Sequence, residues 1–193
     1  MKKIVSNFIL KKIIGWKITG NISLSKNKYK KVVIITAPHT HWMDFYLGLL
    51  IRGAINFKSN YLAKKELFKF PLSIFLKITG GIPVDRNSKN NTVGIVSNLF
   101  NINDEFRLSI APEGTRKRVD KFKSGFYYIA IKAEVPIILM SMDYKNKTSK
   151  ISKPYFPTKN KSKDFEYFEN FFDGIIGKVE KYSFFKKNLF SML

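Results

Sequence analysis

Two histidines and an aspartate lie close together in residues 37–44, which read Ala-Pro-His-Thr-His-Trp-Met-Asp. His39 and His41 are the only histidines of the chain, and imidazole is the side chain that ordinarily titrates near neutral pH. When a hydroxyl attacks a carbonyl, it needs such a base, and a carboxylate can hold the imidazole in the right orientation. The segment therefore contains the parts of an acyl-transfer site.

His39 is the preferred base, with Asp44 as its orienting partner. His39 is expected in a loop that leaves a buried strand, and Asp44 in the first turns of the next helix. Because Cα–Cβ bonds in a helix tilt toward its N-terminus, the carboxylate is aimed back at the loop. His41 is the competing base. The spacing also fits an aspartate that caps a helix beside a surface histidine.

Two further segments could bind an anion. Residues 111–116, Ala-Pro-Glu-Gly-Thr-Arg, end a strand at the edge where open α/β sheets place ligands. Gly114 allows close approach of the backbone, and Thr115 with Arg116 offers hydrogen-bond donors. Residues 80–86, Gly-Gly-Ile-Pro-Val-Asp-Arg, end on Arg86, whose guanidinium could clamp a phosphate. Both segments also fit ordinary turns with exposed charges.

The elements that would position these residues alternate between strand and helix. The β-branched run at residues 32–36 predicts a strand buried on both faces, and a helix from about 40 to 55 follows, with Thr40 as its N-cap. Further predicted strands cover residues 61–63, 82–84, 108–111 and 135–142. Further predicted helices cover residues 64–69, 71–77, 91–106 and 126–133. This alternation predicts an α/β fold with a mostly parallel central sheet flanked by helices, in a single domain over residues 1–193.

The two ends of the chain are predicted to be helical. Residues 1–17 form either an interfacial helix or a helix packed on the domain, because Lys12 interrupts its apolar face. Residues 164–193 form an amphipathic helix and a tail, and packing on the domain is the favoured role of the helix. Its apolar side chains recur at three- and four-residue spacing, namely Phe165, Phe168, Phe172, Ile175, Val179 and Tyr182. The lysine-rich residues 143–163 are predicted to be a loop.

Composition restricts the partners. The 193 residues carry 35 Lys and Arg against 14 Asp and Glu, a net charge of +21 that attracts polyanions. Nucleic acid, an anionic lipid surface and an acidic carrier or substrate all fit this charge. Because the sequence has no cysteine, disulfides and cysteine nucleophiles are excluded, in agreement with a reducing compartment. No run reaches the roughly 18 apolar residues of a membrane span, so we expect a cytosolic protein that can lie on a membrane.

Taken in order, the motifs resemble the blocks of the glycerolipid acyltransferase family, of the 1-acylglycerol-3-phosphate acyltransferase type. Residues 39–44 match its His-x4-Asp block, and residues 81–86 resemble its Gly-x-Ile-x-Val-Asp-Arg block. Residues 113–116 are identical to its Glu-Gly-Thr-Arg core, and residues 122–125 resemble the Phe-Lys-x-Gly that follows. Residues 135–138 resemble the fourth block. Pro38 stands where asparagine is frequent in the family. This departure removes no proposed catalytic group, but it weakens the inference of the acceptor from the family.

The resemblance implies a glycerol-3-phosphate acyltransferase-like fold and assigns roles. His39 would be the general base and Asp44 its partner, while the acceptor, chiefly its phosphate, would contact five residues: Arg86, Glu113, Gly114, Thr115 and Arg116. The acceptor would be a lysophospholipid, most simply 1-acylglycerol-3-phosphate, and the donor acyl-carrier protein or acyl-coenzyme A as co-substrate.

The same resemblance implies no metal or other cofactor, and a peripheral, monotopic position on an anionic membrane at its cytoplasmic face. Two alternatives stay open. The chemistry could act on a lyso-lipid without phosphate, such as a lyso-aminolipid. The chain could instead be a basic nucleic-acid-binding module, although it has no recognised motif for specific nucleic-acid binding.

Overall fold

A computed structural model describes residues 3–21, 29–85 and 92–186, and seven strands of this part form one sheet. The strands are β1 (Lys17–Gly20), β2 (Lys31–Ala37), β3 (Asn60–Lys64), β4 (Gly81–Val84), β5 (Phe106–Ile110), β6 (Ile137–Ser141) and β7 (Thr148–Ile151). Their order in the sheet is β1-β7-β6-β2-β5-β3-β4, and every neighbouring pair is parallel except β6 and β7. The predicted α/β fold with a mostly parallel sheet is confirmed.

Helices connect the strands. They are α1 (Lys3–Phe8), which continues as a π-helix (Ile9–Ile14), α2 (Met43–Ala54), α3 (Leu72–Ile78), α4 (Thr92–Ile102), α5 (Gly125–Lys132) and α6 (Lys161–Phe172). Short 3₁₀ turns cover Lys65–Leu67 and Glu180–Tyr182. Among the described residues, none of these helices combines the length and the apolar content needed to cross a bilayer.

Strand β2 lies in the middle of the sheet and contributes to two apolar clusters. Val33 and Ile35 pack in the cluster that also contains side chains of α4, α5 and α6. Val32 and Ile34, which alternate with them along the strand, pack in a second cluster on the opposite face. This burial on both faces explains why the run is β-branched throughout, as expected for a central parallel strand.

The two outermost strands on one side of the sheet were not predicted. The N-terminal segment was expected to be helical up to residue 17, but the π-helix ends at Ile14, Gly15 follows with a φ of 69°, and β1 begins at Lys17. Strand β7 lies within residues 143–163, which were predicted as a loop. Both strands have only four residues and carry polar side chains, so neither shows a clear hydrophobic period.

Several predicted helices are shorter in the structure. The C-terminal helix was expected to continue to Tyr182, but α6 ends at Phe172, and Gly174 then takes a left-handed φ of 71°. Positive φ is readily available to glycine and redirects the chain out of the helix. The helix predicted to reach residue 106 ends at Ile102, and Phe106 instead begins β5. Residues 187–193 of the predicted tail lie outside the described residues.

Three adjacent strands carry the candidate site at their carboxyl ends. Ala37 at the end of β2 pairs with Ser141 at the end of β6, and Ile35 pairs with Ile110 at the end of β5. Because the three strands are parallel, the loops that follow them emerge at the same edge of the sheet. This is the edge at which open α/β sheets bind ligands.

Candidate active site

His39 and Asp44 are in contact. Nδ1 of His39 lies 3.2 Å from Oδ2 of Asp44, and the histidine side chain is 26% exposed while the carboxylate is buried. His39 follows β2, and Asp44 lies in the first turn of α2 and points back over the loop, as the direction of helical side chains predicts. This arrangement leaves Nε2 of His39 as the nitrogen without the carboxylate contact.

Asp44 is held by donors from the loop that it faces. Its Oδ2 accepts the amide hydrogens of Thr40 at 2.7 Å and of His41 at 2.8 Å. Burial opposes ionisation of Asp44, but the hydrogen bonds from His39, from the His41 amide and from Tyr144 outweigh it and lower the pKa of the carboxyl. Asp44 is therefore a carboxylate at neutral pH and can orient the imidazole.

The sequence predicted Thr40 as the N-cap of α2, and this prediction is wrong. The helix begins later, at Met43, and the Thr40 hydroxyl accepts the amide hydrogen of Val179 at 3.1 Å. Gly177 lies against the same side chain, since a Cβ at this glycine would come within 2.7 Å of Thr40. The segment after α6 thus packs closely on the loop that carries His39.

Tyr144 completes the surroundings of Asp44 and was not identified from the sequence. Its hydroxyl donates to Oδ1 of Asp44 at 2.7 Å. Burial and this contact with Asp44 raise the pKa of Tyr144, so the phenol stays protonated and remains a donor. Tyr144 follows β6, which is the neighbour of β2, and the sheet order therefore brings it to the site. A tyrosine beyond a predicted strand carries no sequence signal of such a role.

His41 has a different environment from His39. Its Nδ1 accepts the amide hydrogen of Met43 at 3.3 Å, and its ring packs on that of Trp42. Only its backbone amide contacts the Asp44 carboxylate. Of the two histidines, His39 is the one whose ring is oriented by a carboxylate.

Glu113 links the second motif to the first. Its Oε1 accepts the backbone amide hydrogen of His39 at 2.8 Å, and the residue is only 3% exposed. Among the described residues, its other oxygen, Oε2, is buried without a hydrogen-bond partner. Burial raises the pKa of Glu113 to about 7, although hydrogen bonds from the His39 amide and from its own backbone oppose the shift. The sequence did not predict this contact with the backbone of the histidine loop.

The residues after Glu113 form an exposed, basic turn. Gly114 has a φ of 65°, and a Cβ there would come within 2.8 Å of the Lys123 side chain. The amide of Lys123 donates to the Pro112 carbonyl at 2.9 Å and closes the loop. Thr115 and Arg116 are exposed on this turn. The basic side chains exposed on the loop are Arg116, Lys117, Arg118, Lys121 and Lys123.

The structure brings most of the predicted site residues together. Through the contact between Glu113 and His39, it joins the His39–Asp44 pair to the turn of Gly114, Thr115 and Arg116. Arg86 lies outside the described residues, so its predicted place at the site stays a prediction. Within the described part of the chain, no group of three or more His, Cys, Asp or Glu side chains is arranged to hold a metal ion.

Comparison with known proteins gives a consistent set of similarities. A family model described as Acyltransferase matches residues 18–143. Similar curated proteins are 1-acyl-sn-glycerol-3-phosphate acyltransferases. That of Escherichia coli (strain K12) is 39% identical over 83 residues, covering 40% of this chain and 34% of the relative. That of Haemophilus influenzae is 27% identical over 132 residues, covering 65% of this chain and 53% of the relative.

A plant enzyme and a solved structure extend these similarities. The 1-acyl-sn-glycerol-3-phosphate acyltransferase of Cocos nucifera is 24% identical over 138 residues, covering 67% of this chain and 43% of the relative. The chain thus spans about a third to a half of the length of these curated relatives. The crystal structure of the 1-acyl-sn-glycerophosphate acyltransferase PlsC from Thermotoga maritima superposes with a TM-score of 0.57 at 19% identity, covering 88% of this chain and 78% of that chain. This likeness supports the fold.

Proposed function

The chain belongs to the acyltransferase family, as its motifs predicted, and from this premise we propose that it transfers a fatty acyl group from a thioester to the free hydroxyl of 1-acylglycerol-3-phosphate. The observation that carries the proposal is the contact of 3.2 Å between His39 Nδ1 and the buried Asp44 carboxylate. The three curated relatives described above, which are 1-acyl-sn-glycerol-3-phosphate acyltransferases, support the choice of acceptor. The contact between His39 and Asp44 favours an enzyme over the nucleic-acid-binding module that the charge alone allowed.

In the proposed mechanism, His39 is the general base and Asp44 keeps its imidazole in the productive tautomer. Nε2 of His39 takes the proton of the acceptor hydroxyl as the oxygen attacks the thioester carbonyl. An ester C–O bond forms and the C–S bond breaks, and the imidazolium returns the proton to the departing thiolate. Asp44 stabilises the imidazolium that exists between these steps. The transfer is direct and requires no acyl-enzyme.

Gly114, Thr115 and Arg116 are proposed to bind the acceptor phosphate. Arg116 offers a planar, permanently charged donor, and the exposed lysines of the same loop add to the positive field. Arg86 keeps the same proposed role on its motif alone. Glu113 is proposed to act differently from these residues, because a buried carboxyl group does not attract a phosphate. It would hold the backbone of His39 in place through the amide contact.

The positive charge suits both remaining partners of the reaction. Acyl-carrier protein and acyl-coenzyme A are acidic, and a net charge of +21 would attract either donor. The acceptor is a lipid, so the protein must work at a membrane surface, and anionic lipid attracts each nearby Lys or Arg by about 1 kcal/mol. We propose that it does so as a peripheral protein at the cytoplasmic face of the membrane.

The test is acyl transfer to a panel of acceptors. The purified protein is incubated with labelled acyl-coenzyme A, or with acyl-carrier protein, and with either 1-acylglycerol-3-phosphate or a lyso-aminolipid. Labelled phosphatidate as the main product, and its loss in His39→Ala, is the expected result. Preferred labelling of the lyso-aminolipid would overturn the acceptor, whereas no transfer to any lipid would overturn the function.

A further inference from the structure

The segment Lys64–Ile78 exposes an unusual number of large apolar side chains. It contains the last residue of β3, the 3₁₀ turn Lys65–Leu67 and α3. Phe70 and Ile78 are 84% and 81% exposed, the former between the turn and α3 and the latter at the end of α3. The exposed apolar side chains of the segment are Leu67, Phe70, Leu72, Ile74, Phe75 and Ile78, and together they are called the α3 surface. Large exposed apolar side chains gathered in one short segment indicate an interaction site.

Lysines surround the α3 surface. Lys64, Lys65, Lys69 and Lys77 are all exposed, whereas Glu66 is the one acidic residue of the segment. Lysine stems can lie along apolar groups while the ammonium reaches outward. Apolar side chains interleaved with lysines fit the boundary between the acyl chains and the headgroups of an anionic bilayer.

A series of aromatic contacts connects the α3 surface to the candidate active site. The ring of Phe75 lies 6.2 Å from that of Phe45, and the ring of Phe45 lies 5.4 Å from that of Tyr46. Tyr46 contacts Trp42, which in turn packs on His41. Trp42, Met43 and Tyr46 are themselves exposed. Apolar side chains therefore continue from α3 to Trp42, which follows His39 by three residues in the chain.

We propose that the α3 surface, with its lysines, is the surface by which the protein docks on an anionic lipid bilayer. Docking inserts Phe70 and Ile78 at the level of the headgroups and presents the His39 loop to lipid acceptors in the same membrane. The inference deepens the proposed function, on which it rests for the need to reach a lipid acceptor. It assigns membrane contact to an internal segment, whereas the sequence directed attention to the two ends of the chain.

Charge favours lipid over a second copy of the chain as the occupant. In a symmetric dimer through the α3 surface, the four lysines of one copy would face those of the other, and like charges at an interface oppose association. Anionic headgroups neutralise them instead. The whole protein, at +21, also favours a polyanionic surface.

The experiment measures binding of the full chain to vesicles of phosphatidylglycerol and phosphatidylcholine by flotation, without donor or acceptor. The variant Phe70→Ser/Ile78→Ser should bind at least about tenfold more weakly than the unchanged protein, since each side chain loses apolar contact with lipid. The variant Lys64→Gln/Lys65→Gln/Lys69→Gln should lose the preference for phosphatidylglycerol. Thermal melting shows that each variant is folded.

Matched exposed residues on other elements provide the control. Phe156→Ser/Ile102→Ser removes a phenylalanine and an isoleucine that are also exposed, and it should leave vesicle binding unchanged. Unchanged binding by Phe70→Ser/Ile78→Ser, or an equal loss in the control, would overturn the proposal. The proposal would also be overturned if Ile4→Ser/Ile13→Ser, on the N-terminal helix, abolished vesicle binding while Phe70→Ser/Ile78→Ser kept it. A change of oligomeric mass in Phe70→Ser/Ile78→Ser without a change in vesicle binding would overturn it as well.

The activity readout separates this inference from the proposed function. The α3 variant should keep the kcat of the unchanged protein on a short-chain acceptor dissolved as monomers and lose turnover of the acceptor embedded in vesicles. Absence of turnover on both acceptors in the unchanged protein, with vesicle binding through the α3 surface intact, would end the proposed function and leave the docking surface standing.

Discussion

The carboxyl group of Glu113 accepts the backbone amide hydrogen of His39 at 2.8 Å, so the loops after β5 and β2 are joined at the base of the candidate site. Glu113 is buried, and its carboxyl group contacts the backbone of the residue that carries the imidazole. The conformation of the histidine loop therefore depends on a residue of the Glu-Gly-Thr-Arg motif.

Replacement of Glu113 should show whether this residue positions the His39 loop or binds the acceptor. Glu113→Gln keeps an oxygen for the His39 amide and should retain most of kcat, whereas Glu113→Ala leaves that buried amide without an acceptor. Such a loss costs about 1–3 kcal/mol, and kcat should fall about tenfold or more with little change in the acceptor KM. Steady-state kinetics with 1-acylglycerol-3-phosphate measure both values. An increase in KM alone for both variants would instead indicate contact with the acceptor.

Glu113 should also make stability depend on pH. Its pKa is raised from 4.5 to about 7 in the folded protein, which therefore binds more protons than the unfolded chain between these values. The free energy of unfolding should thus fall as pH rises through this window, by as much as about 3 kcal/mol. Asp44 contributes stability that is lost only at more acidic pH, because the pKa of its carboxyl is lowered from the ordinary value of an aspartate. Urea unfolding across the window should show the decline in the unchanged protein and a flatter profile in Glu113→Gln; equal slopes would contradict the assignment.

Tyr144→Phe should lower the catalytic rate without changing acceptor binding. It removes one of the donors that lower the pKa of Asp44, and a hydrogen bond to a charged group contributes about 1.5–3 kcal/mol. We expect kcat to fall about tenfold with little change in the acceptor KM, because Asp44 then orients the imidazole with one donor fewer. Tyr167→Phe, which alters an exposed tyrosine of α6, is the control. A lower melting temperature with an unchanged kcat would reduce Tyr144 to a structural role.

Replacement of His39 should lower kcat far more than replacement of His41. His39→Ala removes the imidazole that contacts Asp44 and should lower kcat by roughly 10²–10⁴-fold, the usual contribution of a general base. His41→Ala loses only the ring contacts with Met43 and Trp42 and should keep most of the activity. Turnover under saturating acceptor and donor measures the difference. The assignment of the base would be reversed by the opposite ranking of the two variants.

Arg116→Ala should weaken binding of the acceptor selectively. Loss of a guanidinium that pairs with phosphate costs about 1.5–3 kcal/mol, so the acceptor KM should rise about tenfold or more while the donor KM changes little. Arg118→Ala provides the matched control, because Arg118 lies on the same exposed loop with its guanidinium over the Phe185 ring. Equal effects of the two replacements, or equal increases in both KM values, would point to the general positive field and not to phosphate recognition.

The sequence alone determined the central part of this protein. A β-branched run buried on both faces and a His-x4-Asp spacing depend on residues that are neighbours in the chain, so their periodicity and residue types predict β2, α2 and the candidate base. The Glu-Gly-Thr-Arg motif was identified in the same way. The short polar strands β1 and β7 were missed, because their stability comes from pairing at one side of the sheet and not from a local pattern.

Only the tertiary structure decided which distant groups support the site. Tyr144 lies 100 residues beyond Asp44, and Glu113 lies 74 residues beyond His39, yet each donates or accepts a hydrogen bond there. Their roles follow from the order β6-β2-β5, which brings the carboxyl ends of three parallel strands to one edge. A hydrogen bond requires its partners within about 3 Å, and side chains far apart in the chain reach that distance only after the sheet has set which strands are neighbours.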